Sequence, residues 1–139
     1  MTVRHAKAFY DFVDQPLTEL DAQQGLLITC MRIWARGAMA RTCPLRLVAP
    51  RFVLIGQAST LVPFHAFMMA LSTGAARAIG LSSRENGCIT EDEALLLTAF
   101  EGARHASAVR IKSALASIVC AQNLDCVVHR TLMLPFTLQ

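Results

Sequence analysis

Apolar side chains recur along this chain at three- and four-residue intervals, and no run of strict alternation marks a strand. Leu20, Leu27, Met31 and Trp34 share one helical face, with Thr18 and Asp21 at capping-box spacing ahead of them and Gly37 behind. Pro44 opens a segment that Pro50 kinks and Gly56 ends, which predicts a bent helix over 44–55. Ser59 or Thr60 caps the next helix, and Pro63 falls in its first turn, where a missing amide hydrogen does little harm. Leu61, Phe64, Phe67, Met68, Leu71 and Ala75 then cover most of the circumference of a helix running to about residue 78, so it is expected at the centre, enclosed by the others.

Polar residues interrupt the pattern over 80–88, where Gly-Leu-Ser-Ser-Arg-Glu-Asn-Gly-Cys has the chemistry of a surface loop. Thr90 and Glu93 form the clearest capping box, Ile89 can staple against Ala94, and Leu96, Phe100 and Ala103 form an inward stripe on the helix that begins at Glu91. Glu91, Asp92 and Glu93 place negative charge where the helix dipole is positive. Val109, Lys112, Leu115 and Val119 continue the helical spacing to a stop at Asn123, and a last helix is expected over 125–134 before Pro135. Near the start, Ala6, Phe9, Tyr10 and Val13 make 1–16 an arm able to hold a short helix, which Pro16 separates from the rest. The expected fold is all-α: one domain over 17–139, a compact orthogonal or bundle-like array of about five to six helices.

The order of these elements and the Thr-Glu-Asp-Glu-Ala-Leu-Leu-Leu run at Thr90 resemble a family of short bacterial all-helical proteins grouped as a domain of unknown function. The resemblance covers most of the chain after Leu17. It implies a bacterial helical protein and no particular activity, so it carries no functional residue onto this sequence.

Composition adds a surplus of apolar surface. Of 139 residues 54% are hydrophobic and 17% charged, enough for a core without disulfides or a structural metal, with some left to be covered by a partner. A homodimer is the expected outlet. No export signal opens the chain, and five cysteines without a regular framework read as small buried hydrophobes in a reducing cytoplasm, with Cys88 alone expected at the surface. The charge-free stretch 52–76 is long enough for a membrane span, yet Gly56, Gln57, Ser59, Thr60 and Pro63 divide it into two buried helices.

Charge is laid out unevenly. No acid lies between Asp21 and Glu85, while Arg32, Arg36, Arg41, Arg46, Arg51, Arg77 and Arg84 do. Arg32, Arg36, Arg41, Arg46 and Arg51 are therefore the candidate contact residues for an acidic protein partner, because guanidinium forks pair with carboxylates. A nucleic-acid regulator using residues 32–51 is a lesser alternative, since a net charge of +3, without a recognition helix or stacking aromatics, is little for that task.

Candidate chemistry is sparse. Cys120, Cys126 and His129 lack the Cys-x-x-Cys pairs of structural zinc sites, and the nucleophile-elbow, phosphate-loop and dinucleotide motifs are missing. Glu101 and His105 stand four apart and can share a proton or a hydrogen bond, and His65, between Phe64 and Phe67, can serve an apolar pocket or sit as a satisfied core histidine. No catalytic residue, metal or cofactor is assigned. Two readings of different class follow: a non-enzymatic cytoplasmic interaction or regulatory module, and a small-molecule or metal-binding bundle, an enzyme among the options, with a pocket beside the helix around His65 where His65 or the Glu101 and His105 pair supplies polar groups.

Overall fold

A few bonds between side chains and backbone decide where the helices start. A computed structural model of the chain describes residues 9–83 and 85–135, and seven helices and no strand lie among them. The first, α1 (Phe9–Phe12), is a single turn that docks by burying Phe12. α2 (Ala22–Met39) starts on Asp21, whose carboxylate accepts from the Gln24 amide at 2.8 Å while Gln24 Oε1 accepts from the Asp21 amide. The box therefore sits three residues later than the expected Thr18–Asp21 pair, because Leu17–Glu19 is a 3-10 turn. α3 (Pro44–Leu54) runs through Pro50, and α4 (Leu61–Gly74) follows. α5 (Glu91–Arg104) starts on the expected Thr90–Glu93 box. α6 (Ala108–Leu115) and α7 (Ala121–Leu132) complete the all-α, bundle-like array.

Two boundaries depart from expectation for one reason. The Ala76 amide donates to Ile118 O at 2.8 Å, and the Cys120 amide to Gly74 O at 2.8 Å, so an isolated backbone bridge joins 75 to 119. It ends α4 at Gly74 instead of residue 78 and starts α7 at Ala121, which leaves Asn123 inside a helix instead of stopping one. A second bridge joins Pro16 to Cys88, and the Leu17 amide donates to Gly87 O at 2.7 Å. The described part of the N-terminal arm is thereby tied to the loop ahead of α5; Ala6 and the rest of 1–8 lie outside the described residues.

The chain builds two similar sets of three helices, α2 to α4 and α5 to α7. In each, a long capped helix ends in a left-handed residue, Arg41 (φ 57°) or Ala106 (φ 51°), and the next amide returns to a glycine carbonyl, Thr42 to Gly37 and Ser107 to Gly102. Both glycines suit the close turn: a Cβ on Gly102 would stand 3.0 Å from Ile111 and 3.1 Å from Arg110, and one on Gly37 would displace the end of the Leu47 side chain. α2 and α5 pack antiparallel, since Gln24 meets Glu101 at one end and Arg32 meets Glu93 at the other. α4 packs against α7.

Ile28, Met31, Phe52, Phe64, Phe67, Leu96 and Phe100 form the centre of one continuous core. α4 is not enclosed all round as expected, because Val62 is 71% exposed and Met69 also faces outward. The cysteines differ from expectation in part: Cys30 is buried and Cys88 exposed as expected, but Cys43 and Cys126 are exposed as well. Cys43 precedes α3 at its cap position, and Cys126 lies opposite the inward side chains Leu124, Val127 and Val128 of α7. The stretch 52–76 resolves into the end of α3, a turn at Gly56 (φ 73°), a 3-10 turn and α4; no helix among the described residues is long and apolar enough to cross a membrane.

Candidate functional site

Arg32, first of the arginines read as contact residues, is not at the surface. Its side chain is fully buried against Glu93, with Nε to Oε2 at 2.7 Å and Nη2 to Oε1 at 2.8 Å, and its remaining donors reach the carbonyls of Asn86 and Cys88. Burial pushes the Glu93 carboxyl up. The Arg32 guanidinium and the amides of Thr90 and Ser82 outweigh that, so the net shift is below its usual value. Beside it, Arg77 grips Asp92 through two bonds of 2.8 Å and the Gly80 amide donates to the same carboxylate, which is held below its usual range by Arg77 first. Two of the three acids that suit the dipole of α5 thus also fasten the segment 75–90 across the helix start.

At the other end of the α2–α5 pair, Glu101 accepts from Gln24 Nε2 at 3.1 Å and Arg104 Nη1 at 2.9 Å, and Arg104 also reaches Asp21 at 3.1 Å. His105 is exposed with Nε2 3.9 Å from Glu101, too long for the expected hydrogen bond. His65 Nδ1 accepts from Trp34 Nε1 at 3.0 Å, and His65 lines neither the cavity of about 600 Å³ nor that of about 290 Å³. The structure does not bring His65, Glu101 and His105 together. A cavity of about 290 Å³ does border α4, but its walls are Trp34, Met39, Met68, Leu71 and their neighbours.

The larger opening, about 600 Å³, lies elsewhere, between the first half of α2, the end of α3, Arg104 and Leu134. Leu26, Leu27, Phe52, Ile55 and Leu134 supply apolar wall, and Asp21, Gln23, Arg51 and Thr60 supply polar groups. Among the described residues Arg51 has no hydrogen bond or ion pair, and Gln23 Oε1 is buried without a donor. Arg51 lies over the core close enough to act on Cys30, whose thiol burial pushes up to about 11 despite that nearby charge. A thiol so displaced is inert at neutral pH.

A second feature runs along α3. Helical spacing puts Leu47, Pro50 and Leu54 on one outward line, with Arg46 on one flank and Arg51 on the other. Leu54 is 87% exposed, and Val53, Ile55 and Val62 extend the apolar surface into the turn before α4 and its first residues. Arg36 and Arg41 are exposed at the adjoining end of α2, while Arg84 lies outside the described residues. The spacing of Leu47, Pro50 and Leu54 was visible in the sequence; that the described residues leave their face uncovered was not. Cys126 and His129 are exposed, Cys120 makes a weak contact with Ala75 O at 3.7 Å, and no three His, Cys, Asp or Glu side chains among the described residues are placed to hold a metal.

No protein-family model, curated protein or solved structure matches this chain.

Proposed function

We propose that this chain is a non-enzymatic helical contact module, in a cytoplasmic setting, that engages a protein partner through the outer face of α3. The single observation behind this reading is the apolar line Leu47, Pro50 and Leu54, bracketed by arginines and continued by Val53 and Ile55. Uncovered apolar side chains in a row favour a protein surface, and arginine flanks without a sequence-neighbouring acid favour carboxylates around the partner's apolar contact. An amphipathic helix with an acidic rim has that chemistry. A second copy paired about a two-fold axis on this face would set arginine against arginine, which disfavours the same surface as a homodimer contact. Nucleic acid fits less well, because Arg32 is withdrawn and the remaining arginines alternate with exposed apolar side chains.

The test is fluorescence anisotropy with two synthetic amphipathic peptides, one of leucine and glutamate, one of leucine and lysine. The reading expects the glutamate peptide to bind the wild-type chain, binding to weaken with salt, and Leu54→Asp to abolish it. Equal affinity for both peptides, or a concentration-dependent dimer in light scattering that Leu54→Asp dissolves, would contradict it.

A further inference from the structure

We infer that the groove between α2 and the end of α3 is a binding site for a small monoanion with an apolar body, of the medium-chain carboxylic acid class, with Arg51 as its charge partner. It rests on the groove and not on the protein-contact reading, although Arg51 and Ile55 belong to both surfaces. The volume of about 600 Å³ is in the range that encloses small ligands, and its walls combine apolar side chains with polar and charged ones. Leu26, Leu27, Phe52, Ile55 and Leu134 would cover the ligand's chain.

The sign of the ligand follows from the charges that the described residues bring to the lining. Arg104 is answered by Asp21 and Glu101, with contacts of 3.1 and 2.9 Å. Arg51 is the lining cation with no ion pair among the described residues. It is half-buried, so its charge is only partly screened by water. An anion is attracted there, and a cation is not. With Asp21 beside Arg104, Arg51 is left as a single uncompensated charge of the lining among the described residues, which suits one carboxylate better than a phosphate or a polyanion. Gly25, also in the wall, has no atom of the described residues within 4 Å of the place a Cβ would take.

The experiment titrates isotopically labelled full chain with decanoate, decanol and decyltrimethylammonium, below micelle-forming concentrations, following amide shifts and heats of binding. Decanoate is expected to saturate and to move the amides of Leu26, Phe52 and Ile55, with decanol weaker by about tenfold or more, the worth of one charge-assisted contact. Arg51→Gln should bring decanoate to the level of decanol and leave decanol unchanged, while Arg51→Lys keeps a preference for decanoate. The proposal is overturned by no saturable decanoate binding, by equal binding of decanol or the ammonium compound, by an unaltered Arg51→Gln, or by shifts confined to the outer face of α3.

Discussion

The two ends of the α2–α5 pair use the same chemistry for different ends. At the start of α5, Arg32 and Glu93 are sealed from solvent and the guanidinium is used by a carboxylate and two carbonyls, while the amides of Ser82 and Thr90 complete Glu93. At the finish, Arg104 keeps 23% of its side-chain exposure, Asp21 45%, and the groove opens beside them with Arg51 uncommitted among the described residues. The difference lies in the covering chain. The described part of 75–90 passes over the first end and supplies backbone donors and acceptors where the side chains need them, whereas no such segment closes the groove among the described residues. An arginine in this protein is structural where backbone can satisfy it under cover, and available where backbone does not reach.

Breaking the sealed end gives the largest effect. Glu93→Gln leaves the Arg32 charge buried without its counter-charge and is expected to cost about 3–5 kcal/mol in urea unfolding. Acid acts on the same contacts. Glu93 and Asp92 have folded pKa values below their ordinary 4.5 and 3.8, so the stability they add is complete above those values and is lost as pH falls through the lowered ones. In Arg32→Met, Glu93 is buried without its partner and its pKa rises, so the stability gap to wild type should narrow as pH is lowered from 7 to 4; thermal melts across that range check the sign. Next come the caps: Thr90→Ala should cost about 1 kcal/mol, measured by the same urea midpoint. At the open end, Arg104→Ala is expected to cost about 0–1 kcal/mol and to do so less in high salt, because water and ions already screen its pairs.

Local signals in the sequence carried the all-helical class, the start of α5 and the course of α3 through Pro50, because caps and apolar spacing act within a turn or two of chain. They misplaced the start of α2, where Gln24 competes successfully as the third box residue, and the α4 and α7 boundaries, which a bridge between residues 75 and 119 sets. Of the candidate arginines, sequence could not separate Arg32 from Arg36 four residues later, since burial of Arg32 depends on Glu93, 61 residues away. The groove was not legible for the same reason: Gln23, Phe52 and Leu134 meet only in the folded chain. His65 drew attention by its apolar neighbours, and its partner proves to be the Trp34 ring nitrogen, a contact no local pattern discloses.

A side-by-side urea unfolding of Arg32→Met and Arg51→Met asks most directly whether one arginine belongs to the fold and the other to the surface. The midpoint should drop steeply for Arg32→Met and stay within about 0.5 kcal/mol of wild type for Arg51→Met. Equal losses in the two variants, or a tolerant Arg32 beside a sensitive Arg51, would contradict the division.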